Sequence, residues 1–189
     1  MTTPDDVLNF WFGPASPPTD PRPEWFRKSP EFDEEIRTRF AALHEAAVSG
    51  SLDDWANSPR SMVALIIVLD QFSRNLYRET PRAFAADAAA LSHAQRMIAS
   101  GWDGALSPLE RAFVYLPFEH AESLPDQDRS VALFEKLAGY PETQGMLDWA
   151  LKHRQVIARF GRFPHRNAAL GRATTAEEAI FLEEPGSRF

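Results

Sequence analysis

The chain of 189 residues carries a net charge of -7 and no cysteine, and a chain of this length buries roughly 70% of its unfolded surface without metal or disulfide staples. Without cysteine there is no disulfide framework, thiolate zinc site, iron–sulfur cluster or cysteine nucleophile. The acidic balance disfavours a nucleic-acid binder, which draws on a surplus of Lys and Arg.

The opening residues, Met1 to Phe10, have neither a basic n-region nor an apolar h-region, so a cytoplasmic location is expected. Thr3-Pro4 begins a pattern that recurs at Ser29-Pro30, Ser58-Pro59, Thr80-Pro81 and Ser107-Pro108. In each, the hydroxyl can accept from an unpaired N–H of a helix's first turn, and proline at the first helical position lacks only an N–H that would be unpaired anyway. Gly13, Gly50, Gly101, Gly139 and Gly161 mark helix ends, where glycine adopts a left-handed cap at little cost. Helices are predicted near 4–12, 30–49, 59–79, 81–100, 108–122, 127–138, 142–160 and 175–183. Thr175 to Glu178 has capping-box spacing.

The segment 13–23 reads as a Pro-rich surface loop, and no linker divides the chain, so residues 1–189 are expected to form a single all-α domain. Phe32, Ile36, Phe40, Leu43 and Ala47 make one apolar stripe, and Phe84, Ala88, Leu91 and Ile98 another, both at helical period. Met62 to Leu69 is apolar on every side, which marks a central helix; a membrane span needs about 20 such residues, so no membrane association is expected. Pro117 falls within the predicted fifth helix, where a kink or break is expected.

After Leu69 the central helix changes to Asp70-Gln71-Phe72-Ser73-Arg74-Asn75-Leu76-Tyr77-Arg78. Asp70, Arg74 and Arg78 stand at i, i+4 and i+8, along one side of a helix. Two readings stay open: an Asp70–Arg74 ion pair tying the helix to its neighbours, or Arg74 and Asn75 lining a polar cleft. His153 lies on the inward stripe of Met146, Ala150, Ile157 and Phe160, and His120 continues the face of Leu109, Phe113 and Leu116 beside Glu119 and Glu122. Each histidine is either a hydrogen-bonded core residue or, with Glu119, a proton-transfer group.

Glu119, His120, Glu122 and His153 carry donors that suit zinc, iron or manganese, but the spacing matches no His-Glu-x-x-His or paired Glu-x-x-His element. No metal and no cofactor are expected; Walker and dinucleotide-binding glycine motifs are also missing.

Trp149 to Ala176 holds no acidic residue but contains Lys152, Arg154, Arg159, Arg162, Arg166 and Arg172, with His153 and His165. The stretch Arg159-Phe160-Gly161-Arg162-Phe163-Pro164-His165-Arg166-Asn167 either fixes several arginine forks around an anion or pairs them internally with Asp70, Glu119 and Glu122.

The strings Val7 to Gly13, Trp25-Phe26, Asp70 to Asn75, Pro117 to His120, and His153 through Arg162 to Asn167 resemble the bacterial domain of unknown function 924 over nearly the whole chain. The resemblance implies an all-α fold similar to tetratricopeptide-like arrays, about eight helices packed as antiparallel pairs into a curved body. It implies no activity. Two functions follow from the residues. One is a small-molecule protein, with Glu119, His120 and His153 as catalytic candidates and Asp70, Arg74, Asn75, Arg159, Arg162, His165, Arg166 and Asn167 as ligand-binding candidates for a small anionic metabolite. The other is a helical interaction scaffold with an internal charge network, whose protein partner the sequence does not identify.

Overall fold

A computed structural model describes residues 2–14 and 17–187. The described residues form helices and turns with no strand, the all-α class that the helix-start pattern predicts. Eight α-helical elements follow in order: α1 (Pro4–Phe12), α2 (Pro30–Val48), α3, α4 (Asp87–Ala99), α5 (Pro108–Glu119), α6 (Leu124–Phe134), α7 (Met146–Phe160) and α8 (Ala176–Phe181). In α3, the helix Pro59–Ile67, a π-helical turn Val68–Phe72 and a last turn Ser73–Leu76 follow without a break. None of the described helices is long and apolar enough to cross a membrane.

Four of the five Ser/Thr-Pro starts act as predicted. Thr3, Ser29, Ser58 and Ser107 accept from the backbone N–H of Asp6, Phe32, Ser61 and Glu110, respectively, and Thr175 closes a capping box with Glu178. Thr80 is the exception. Its hydroxyl donates to Tyr77 O at 2.8 Å, Pro81–Ala83 forms a 3-10 turn, and α4 begins only at Asp87. The buried face of α4 also differs from the predicted stripe: Ala90, Ala94 and Met97 are buried while Ala88 is exposed. Small alanines let α4 pack closely on α3. α5 runs through Pro117 and stops two residues later at Glu119, short of the predicted 122. Residues 15 and 16 of the predicted Pro-rich loop lie outside the described residues; after them, Arg22 and Trp25 donate to carbonyls at the end of α1.

α3 contacts α1, α2, α4 and α5, whereas α5–α6 and α6–α7 pack as consecutive neighbours. The arrangement is therefore a central helix with others gathered about it, continued by a sequential stack. Phe10, Trp11, Phe32, Phe72 and Phe113 interlock at one side of α3, with Trp11 and Phe113 rings 5.4 Å apart and edge to face. α3 and α5 run in the same direction, because Ser58 and Ser107 at their starts line one open groove of about 640 Å³ while Asp70 and His120 touch at their far ends. That polar end is where the candidate residues meet.

Candidate functional site

The π-helical turn puts Asp70 in the interior, fully buried, where an isolated carboxylate would be costly. Its partners make it tolerable. Oδ1 lies 3.1 Å from Arg74 Nη1 and 2.7 Å from His120 Nδ1, and Oδ2 accepts from Gln71 at 2.6 Å. Burial pushes the Asp70 carboxyl up, but Arg74 and His120 outweigh it and hold it below the usual carboxylate range. An ionised Asp70 only accepts, so His120 Nδ1 carries the proton of that bond and Nε2 is the bare nitrogen. Burial, with Arg74 adding to it, lowers the His120 pKa and keeps the ring neutral despite Asp70.

Arg74 reaches further than its predicted partner: Nη1 and Nη2 donate to both oxygens of Asp87 at 2.9 and 3.1 Å. Asn75 and Arg78 point elsewhere. Both engage Asp33 of α2, through Asn75 Nδ2 at 2.7 Å and Arg78 Nη2 at 2.8 Å. The expected single row of Asp70, Arg74 and Arg78 fails because α3 ends at Leu76, so helical periodicity no longer places residue 78. Asn75, assigned to the cleft from sequence, is a helix-packing residue.

Glu119 and His120 close α5. Glu119 is buried and lies 3.2 Å from His153 Nδ1 on α7, which also contacts Trp149 O at 2.9 Å. A carbonyl only accepts, so Nδ1 carries the hydrogen. Burial, reinforced by the Asp70 charge, pushes Glu119 up to about 8. Burial pulls His153 down to about 3, against the Trp149 bond and with help from His120 and His165. At neutral pH the contact is a carboxylic acid against a neutral imidazole, and carries no ion-pair energy. The rings of His120 and His153 are 6.4 Å apart, and Phe163 stands 5.5 Å from His153 and 5.6 Å from His165. Burial and Arg166 push His165 down to about 3.

The basic segment splits in two. Arg166 is buried, meets Asp87 Oδ2 through Nη1 at 3.3 Å, and has the rings of Phe84 and Phe163 at 4.6 and 4.5 Å from its Cζ. The outer groups are spent on architecture. Arg162 forks onto Glu178 at 2.6 and 2.8 Å, and Asn167 joins Glu178, Thr174 and Arg172. Arg172 forks onto Glu122 at 2.6 and 2.9 Å, and Arg159 pairs with Glu177 on the surface. The structure thus gathers Asp70, Arg74, Glu119, His120, His153, His165 and Arg166, and leaves Asn75, Arg159, Arg162 and Asn167 outside. No trio of His, Asp or Glu is arranged to hold a metal ion among the described residues.

Sequence reasoning missed Asp87, Asp33 and Glu178. The basic island in an acidic chain signals that carboxylates must come from elsewhere, but which ones depends on how α2, α4 and α8 pack.

The arrangement defines an all-helical protein with a buried carboxylate–imidazole–guanidinium cluster at one end of its central helix. The family model for a bacterial protein of unknown function, DUF924, matches residues 7–186, and the chain belongs to that family. It is similar to a solved structure of a protein of unknown function, ATU0120 from Agrobacterium tumefaciens, with a TM-score of 0.85 and 40% sequence identity over 95% of this chain and 96% of that one. No curated protein matches.

Proposed function

We propose that this protein binds a small anionic metabolite at the Asp70–His120 end of α3 and moves a proton on it. The observation that carries this reading is two carboxyl–imidazole pairs set side by side in opposite states. Asp70 is ionised and orients His120 with Nε2 bare, while Glu119 is a neutral acid whose Oε1 lies beside the Nδ1–H of His153. Groups whose environments drive their pKa values apart are the usual signature of a general base and a general acid. His120 keeps 14% of its side-chain surface exposed and Arg74 keeps 19%, so solvent reaches the edge of the cluster. In this reading His120 is the base, Glu119 the acid, and Arg166 with Arg74 the cationic side.

A second reading takes support from the outer half of the basic segment. Arg162, Asn167 and Arg172 find partners within the chain, as a helical interaction scaffold braced by internal charges requires.

A ligand-observed NMR screen in D2O against a broad panel of small metabolites separates the two. With the native protein, at least one metabolite should be converted or exchange a proton for deuterium. His120→Gln should slow that change by about 10²–10⁴-fold, the usual contribution of a positioned acid–base group. No change across the panel favours the scaffold, and an undiminished rate in His120→Gln removes His120 from the role of base.

A further inference from the structure

The inner arginine carries one unfinished edge. Arg166 is only 6% exposed, yet its ion pairing is limited to the 3.3 Å contact with Asp87, and its buried Nε has no hydrogen-bond partner among the described residues. Asp87 meets Arg166 only through Nη1, on the oxygen that also takes Arg74 Nη2 at 3.1 Å, and leaves the Nε edge uncovered. Two guanidinium groups share one carboxylate. Phe84 and Phe163 offer ring faces to Arg166 but no lone-pair acceptor. A buried N–H without a partner keeps its full desolvation cost until an acceptor arrives, and the Nε edge of a guanidinium is shaped for two coplanar oxygens.

Charge narrows the ligand. Around the cluster the cations are Arg74 and Arg166 and the anions Asp70 and Asp87. Glu119 is a neutral acid, the imidazoles are neutral, and Glu122 is answered by Arg172. Among the described residues the cluster is therefore close to neutral, and Arg166 is its underused cation. One added negative charge meets the free edge of Arg166. A second would face Asp70, Asp87 and Glu122 without a new counter-ion.

We infer that the ligand of this site is a small monocarboxylate, held by the Arg166 guanidinium with its uncharged part beside the Asp70–His120 pair. The inference rests on the acid–base reading above and names its substrate class.

Thermal denaturation at constant ionic strength tests it, with acetate, lactate and inorganic phosphate as probes. Keeping ionic strength fixed matters because excluded anions raise melting temperatures without binding. Acetate or lactate at about 100 times its dissociation constant should raise the midpoint by roughly 5–10 °C, and phosphate should not. Arg166→Lys, which keeps the charge and loses the fork, should abolish the shift; Arg159→Gln, on the surface pair with Glu177, should retain it. Should Arg166→Lys not fold, ring-proton NMR of the native protein replaces it, with acetate expected to displace the His120 and His165 resonances. A phosphate shift as large as that of acetate, a shift that persists in Arg166→Lys, or no response to either carboxylate overturns the inference. Carboxylates that fail while His120→Gln still abolishes turnover of another metabolite sink this inference alone. Carboxylates that bind while no panel metabolite is converted sink the acid–base reading instead.

Discussion

The two halves of α3 meet in the same buried interior and are held in place by opposite physics. From Met62 to Leu69 the side chains are at most 1% exposed, and so is Asp70 directly after them. Burying a Leu or Ile contributes about 1.5–3 kcal/mol through the hydrophobic effect. Burying a carboxylate costs several kcal/mol, returned only by well-placed partners. Asp70 has such partners in Arg74, His120 and Gln71, and Arg74 in turn needs Asp87. The apolar half stabilises without a specific partner, while the polar half holds only as a set. A cluster so dependent on its members adds little to stability that hydrocarbon could not, which makes it the part of the helix to examine for function.

Truncating Arg74 should break the comparison most visibly. Arg74→Ala leaves Asp70 and Asp87 without their common cation and should cost about 3–5 kcal/mol, the usual penalty for removing one partner of a buried pair. Arg60→Ala, which loses an exposed contact with Asp5 at 2.8 Å and a loose one with Glu110 at 3.8 Å from a side chain that is 45% exposed, should cost under about 1 kcal/mol. Urea denaturation of both variants checks this, and equal midpoints would show that the polar end is as forgiving as the surface. On the apolar half, Leu65→Ala should cost about 2–5 kcal/mol through lost burial and a residual cavity. A loss under about 1 kcal/mol would show that neighbouring helices collapse into the space.

The apolar half was legible from the sequence and the polar half only in part, for the same physical reason. Hydrophobic period and Ser/Thr-Pro caps are local, so α1, α2, α3 and the start of α5 follow from neighbouring residues. Thr80-Pro81 departs from the pattern: its hydroxyl donates to Tyr77 O and accepts from no first-turn N–H, and only a 3-10 turn follows. The Asp70–Arg74 pair is a local i, i+4 contact and was readable. The partners that decide the site are not local: Asp87 is 79 residues from Arg166, and Asp70 is 50 from His120. Arg162 and Arg166 are separated by one turn's length of chain, yet one braces α8 and the other enters the cluster. Residue type alone could not sort them.

Glu119 offers the finest test, because near neutral pH its contribution should depend on pH in the direction opposite to that of the histidines around it. Its folded pKa of about 8 lies above the ordinary 4.5, so between these values the folded protein holds a proton that the unfolded chain has released. Stability therefore falls as pH rises through that window. His153 and His165, lowered from 6.5 to about 3, act in the opposite sense: the unfolded chain takes up protons below about 6.5, and stability falls as pH falls. Between pH 6.5 and 8 the Glu119 effect should remove roughly 1.5–2 kcal/mol, at up to about 1.4 kcal/mol per pH unit, while the histidines, half protonated at pH 6.5 in the unfolded chain, return part of that loss. Glutamine is nearly isosteric with the protonated acid and cannot ionise. Urea midpoints of the native protein should accordingly fall relative to those of Glu119→Gln from pH 6.5 to 8, because the histidine contribution is common to both. A difference between the two proteins that does not change with pH would mean that Glu119 is already ionised in the fold, and the acid of the proposed acid–base pair would have to be sought elsewhere.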